Sequence, residues 1–151
     1  MIDFANLVLI ESCKMISLSL AVELKNAGLV WHPALHNLFA IPDSDLDQRV
    51  FVVSDMAIDV ERLFGQQAIT FNGAVEWSLD HIMVDDVVWM PTEEQLREAL
   101  QQRLLGEAEP VIRLNSYSNR FRCMISLEGE SLLFEAHTAS DAYGLALLHI
   151  I

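Results

Sequence analysis

Residues 92–151 constrain the fold more tightly than any other part of the chain, because their hydrophobic period changes from helical to strand-like and back. Thr92 followed three residues later by Gln95 has the spacing of a capping box, and Leu96, Leu100 and Leu104 then form one apolar stripe that stops at Gly106. This predicts a helix. Three runs with strand character come next: Val111 to Asn115, Phe121 to Glu128 with Phe121, Cys123, Ile125 and Leu127 alternating inward, and Leu132 to Ala136 after a turn at Gly129. Thr138 with Asp141 caps a last helix, and Ala142 to Ile151 is apolar almost all round, so that helix is expected to be buried against the sheet or against another copy of the chain. The expected unit is therefore helix-strand-strand-strand-helix, an α+β arrangement.

Upstream the pattern is mixed. Ile16, Leu20, Leu24 and Ala27 recur at helical spacing and Gly28 follows where a left-handed cap would sit. From Leu29 to Val53, Trp31, Phe39, Ile41 and the run Val50 to Val53 are separated by Pro33, Pro42 and a polar stretch, which predicts short strands joined by turns. Met56, Val60, Leu63 and Phe64 fit a helix ending at Gly65, and Ala68 to Phe71 a short strand before the hairpin signal Asn72-Gly73. Val75, Leu79 and Ile82 favour a helix up to Met83 over a second hairpin arm, and Asp86 to Met90 reads as a further strand. Residues 1–14 match no strong template and are expected to form a loose arm. The expected organisation is an aromatic-rich α+β unit over 15–91 and an αβββα unit over 92–151, two small mixed units sharing one compact body.

Composition narrows the functional classes. The chain has 151 residues, 52% of them hydrophobic and only 21% charged, so disorder and coiled coil are excluded. Nine Lys plus Arg stand against 22 Asp plus Glu, a formal charge of −13, and such a surface repels a phosphate backbone. Of the acids, 13 fall before residue 90 with four bases, so the first part carries −9 and the remainder −4. The opening stretch is interrupted by Asp3, Glu11 and Lys14, which fits neither a signal peptide nor a spanning helix, and a cytoplasmic location is expected. Cys13 and Cys123 are far apart, so neither a disulfide framework nor a Cys-rich metal site is expected.

Several clusters could carry chemistry in principle. Asp43, Asp45 and Asp47 have the opening spacing of a calcium loop, but Gln48 replaces the turn glycine and Ser54 the bidentate acid, so a solvated acidic turn is the better reading. Glu76 and Asp80, with His81 beside them, would share a helix face and could serve a metal-dependent or small-molecule enzyme; solvent-facing charge is the ordinary alternative. His32 and His36 flank Pro33, which excludes a helical ligand pair, while His137 sits at a strand end and His149 inside the last helix. No nucleophile elbow or phosphate-binding glycine loop occurs, so no catalytic residue, cofactor or metal is assigned. Arg113, Arg120 and Arg122 gather a third of the positive charge into ten residues. Arg113, Arg122 and Met124 are expected on the open face of the final sheet near Glu135, where they could grip an anionic ligand or an acidic partner segment; pairing with Glu135 and Glu128 is the structural alternative.

The run AGLVWHP, then NLFAIPD, FVVSD and VVWMPTEEQL resembles a group of small, functionally unassigned bacterial and phage-borne proteins, over roughly residues 20 to 104. The resemblance rests on packing and turn residues and implies no activity; a pilus-assembly accessory role is the distant option it carries. The C-terminal third is similar in element order to the double-stranded RNA-binding fold, whose RNA contacts depend on lysines at the start of its second helix; here Ser140-Asp141-Ala142-Tyr143 offers an acid. The reading these features favour is a non-enzymatic protein-interaction module that self-associates as a homodimer, with another protein as the other partner, engaging neither nucleic acid nor membrane. The alternatives are an acidic nucleic-acid mimic that inhibits a cationic partner, and the enzyme built on Glu76, Asp80 and His81.

Overall fold

The computed structural model of the chain describes residues 15–43, 49–54, 58–71 and 81–151. The architecture is α+β, and the described residues form three α-helices and nine strands in three small antiparallel sheets. The described residues fall into two compact units. One joins the residues before Val30 to Pro91–Ile151, and the other is Val30–Met90.

The first unit contains helix α1 (Leu18–Asn26), helix α2 (Glu93–Arg103), strands β7 (Ile112–Tyr117), β8 (Arg120–Leu127) and β9 (Glu130–Ala136), and helix α3 (Ala139–Ile150). Its C-terminal part has the expected order of helix, three strands and helix. Helix α2 begins at the Thr92 capping box, where the Gln95 amide donates to Thr92 Oγ1 at 3.3 Å and the Thr92 amide donates to Gln95 Oε1 at 3.0 Å. Two orphan N–H groups are thereby satisfied. Leu96, Leu100 and Leu104 are fully buried, as their spacing predicts. Strands β8 and β9 turn through Glu128-Gly129, both at positive φ in a two-residue loop that sets Leu127 opposite Glu130. This is the type I′ geometry that matches strand twist.

Helix α3 is the element on which the rest of this unit packs, meeting α1, α2, β8 and β9. It buries one side through Ala142, Tyr143, Gly144, Ala146 and Leu147. Burial all round is not observed. His149 is exposed in the last turn and its ring lies 5.4 Å from that of Phe134, so its place in a buried helix is corrected to a surface contact. The expected division at residue 91 also differs from the packing, because α1 belongs with residues 91–151. Gly144 explains the close approach: Leu20 of α1 and Ile16 just before it occupy the space its side chain would take. The Ser17 amide, at the start of α1, donates to Asp141 Oδ1 at 2.7 Å.

Cys123 is fully buried between β7 and β9, and loss of hydration pushes its thiol up to about 11. Tyr143 is pushed up for the same reason. A group whose folded pKa lies above its unfolded one favours folding below the unfolded value and loses that contribution as pH rises through the folded one. Unfolding free energy of this unit is therefore expected to fall between about pH 9 and 11, by about 2 kcal/mol from Cys123 alone. Denaturant titration of the parent and of Cys123→Ala across that window checks it; an equal fall in both removes Cys123 as the cause.

The second unit holds β1 (Leu38–Ala40), β2 (Val50–Val52), β3 (Ile58–Leu63), β4 (Gln66–Phe71), β5 (His81–Met83) and β6 (Val88–Trp89). Its two sheets have the orders β2-β1-β6 and β3-β4-β5. Phe39, Ile41, Phe51, Val53, Ile69 and Val87 form the core, with Trp31, Val60, Ile82 and Val84 against it. Phe39 stacks on Phe51 at 5.4 Å, and Trp31 lies parallel to Trp89 at 6.5 Å.

Three expectations fail here. The helix over 56–64 is a strand from Ile58, because Val60 pairs in register with Ile69 and Gly65 is the second residue of a two-residue turn rather than a helix cap. Helix-period and strand-period patterns coincide over so short a run, and the β-branched residues decide it. The helix favoured up to Met83 gives way at its end to β5, which pairs with β4. Its remaining part, 74–80, and the Asn72-Gly73 hairpin signal before it lie outside the described residues. Asp86 to Met90 is a strand only over Val88–Trp89, since Val84–Asp86 is one turn of 3-10 helix.

Candidate functional site

The arginine-bearing face of the C-terminal sheet is the most developed surface feature of the described residues. Strand alternation sends Cys123 and Ile125 of β8 inward and leaves Arg122 and Met124 on the opposite face. The register then builds rows across the sheet: Asn115, Arg122 and Glu135 in one, Arg113, Met124 and Leu133 in the next, and Tyr117 beside Arg120. Leu133 is 57% exposed and Tyr117 48%. The helices of the unit pack on the inward face, so this one is open to a partner.

Within it, Arg122 is held in place. Its guanidinium pairs with Glu135 Oε1 through Nη2, and Nε donates to the same oxygen at 2.6 Å. The cation also lies 5.1 Å from the centre of the Tyr117 ring. The Glu135 carboxyl is pulled below the usual range by its hydrogen bond to Arg122, and the same bond raises Arg122. Arg120 reaches Glu135 Oε2 at 3.6 Å. One carboxylate thus serves two arginines. Arg113, exposed, has no carboxylate within ion-pair distance among the described residues. The sequence pattern places Arg113, Arg122 and Met124 together on this face, and the structure brings them there. It also adds Leu133, whose exposure a strand pattern alone does not reveal, and Tyr117, which clamps Arg122. Pairing with Glu128 is not the partner chosen: Glu128 instead stands in the β8–β9 turn and its amide donates to Glu107 Oε2 at 2.9 Å.

The other sequence candidates are dispersed or undescribed. Asp43 is exposed at positive φ, while Asp45 and Asp47 lie outside the described residues. So do Glu76 and Asp80; His81 is exposed on β5. His36 adopts φ 68° and its amide donates to the Val53 carbonyl, a turn role. His32 is exposed at the edge of a groove in the second unit. His137 Nδ1 lies 3.4 Å from the Asn119 carbonyl oxygen. Among the described residues no three His, Cys, Asp or Glu side chains converge as metal ligands.

No protein family, curated protein or solved structure matches the chain. No described helix is long and apolar enough to cross a membrane. At the start of α3, where the double-stranded RNA-binding resemblance would need basic side chains, Asp141 caps the Ser17 amide of α1.

Proposed function

We propose that the chain is a non-enzymatic protein-interaction module whose working surface is the open face of β7, β8 and β9, and that its partner presents an acidic segment with apolar residues. The observation that carries this reading is the row Arg113, Met124 and Leu133: an arginine with no carboxylate partner among the described residues, beside two apolar side chains on a face that no described helix covers. The face holds three arginines against one glutamate, in a chain of net charge −13. Two copies of such a face would repel each other, so a heterologous acidic segment fits it better than its own image. Exposed aromatic and arginine side chains are also the residue types that concentrate binding energy at interfaces.

Titration of isotope-labelled protein with a peptide of alternating Glu and Leu, and with its Lys and Leu counterpart, tests this. The acidic peptide is expected to shift the amides of Arg113, Met124 and Leu133, with affinity falling as salt rises. Arg113→Glu is expected to weaken it about tenfold, the size of one interface ion pair worth about 1.4 kcal/mol. Equal response to both peptides, or shifts confined to other surfaces, would overturn the reading.

A further inference from the structure

The hairpin that replaces the expected helix over 56–64 ends in an unusual residue. Phe64 occupies the first turn position at φ 53°, a left-handed conformation that side chains other than Gly, Asn and Asp seldom adopt, and it is 91% exposed. A bulky apolar side chain thus stands alone at the tip of a turn to which it contributes no burial. Beside it lies a groove of about 250 Å³, lined by Val30, Trp31, His32, Met83, Val84 and Asp85 together with Gln66 and Gln67, which directly follow the turn. That volume falls below the roughly 300 Å³ at which pockets for drug-sized molecules begin, and suits a single inserted side chain. Val30, on the groove wall, is itself 66% exposed.

We infer that Phe64 of one copy inserts into the groove of a second copy, and that the second copy returns the same contact. Knob and hole are adjacent on one surface, which is the arrangement a two-fold axis requires, because each patch must complement itself. The interface uses none of the residues of the arginine-bearing face, and the two surfaces differ in their response to salt. Residues 30–90 carry ten acids against two bases, so bringing two such units together is opposed by long-range repulsion that salt relieves.

Sedimentation velocity of the whole chain from 1 to 100 micromolar, in low and in half-molar salt, is the test. A dimer is expected, tightening several-fold at high salt, whereas binding of an acidic peptide to the sheet face weakens. Phe64→Asn is expected to raise the dimer dissociation constant at least tenfold while melting no earlier than the parent at a concentration where both are monomeric, since Asn is at ease in this turn. Val30→Arg, which places a charge on the groove wall, is expected to weaken the dimer to a similar extent. A parent that stays monomeric at 100 micromolar, or a Phe64→Asn variant that dimerises as tightly as the parent, overturns the inference whether or not the acidic peptide binds.

Discussion

Phe39→Ala is expected to cost the second unit about 3 to 5 kcal/mol, enough to leave it largely unfolded at room temperature. Phe39 is completely buried in the central strand of its sheet, paired with Phe51 on one side and Trp89 on the other. Its ring touches both the Phe51 and Trp31 rings, at 5.4 and 5.9 Å. Removing it leaves a cavity bounded by strands that cannot collapse without breaking their register, so the cost lies at the upper end of large-to-small substitutions. A unit of this length buries only about 60% of the surface its chain exposes, and has little stability in reserve. The readout is specific, because Trp31, Trp77 and Trp89 all fall between Val30 and Met90. Tryptophan emission should shift to the red without denaturant, while the far-ultraviolet signal of α2 and α3 persists. Val52→Ala, at a 42% exposed position that ends the edge strand β2 of the same sheet, serves as control and is expected to change stability by less than about 0.5 kcal/mol. Matching losses in both variants would show that Phe39 is not the anchor of this core.

Gly144→Leu is expected to displace α1 from the first unit. A Cβ at this position would meet Leu20 Cδ2 at 2.8 Å and Ile16 Cδ1 at 3.2 Å. One methyl can be accommodated by a swing of the Leu20 tip, and alanine also favours the helix by about 1 kcal/mol over glycine, so Gly144→Ala should be nearly neutral. A leucine has no such escape: its branched end needs the volume held by the buried side chains of Leu20 in α1 and Ile16 just before it. Overpacking costs about 1 to 3 kcal/mol where the backbone can yield, and here the easiest yield is for α1 to leave, exposing Ile16, Leu20 and Leu24. Hydrogen exchange should then show lost protection over Leu18–Asn26, with β8 still protected. Retained protection of α1 in Gly144→Leu would mean that the two helices do not approach this closely.

How far the fold could be foreseen depended on the length of each periodic run. Helix α2 was legible because eleven residues carry a stripe, a capping box and a terminal glycine that agree. Strands β7 to β9 were legible because alternation persists over six to eight residues and one face is buried. The 56–64 run failed for the opposite reason: a few apolar residues satisfy both periods, and Gly65 ends either a helix or a hairpin. The docking of α1 on α3 leaves almost no local trace, since it depends on the absence of a side chain at Gly144. For the candidate site, strand parity placed Arg113, Arg122 and Met124 on one face. It could not distinguish an arginine clamped by Glu135 and Tyr117 from one with no such partner, because that depends on register between strands.

The packing of α1 against α3 also fixes an order of events during synthesis. The Ser17 amide and the Asp141 carboxylate that receives it are separated by 124 positions. A ribosome delivers the whole of Val30–Met90 before any residue of α3 exists, so that unit can complete its sheets while α1 waits without its partner. Through that interval the apolar face of Ile16, Leu20 and Leu24 lacks the helix it packs on in the folded unit. The unit Val30–Met90 is thus an insertion in a domain whose two parts can meet only after the whole of it has been made.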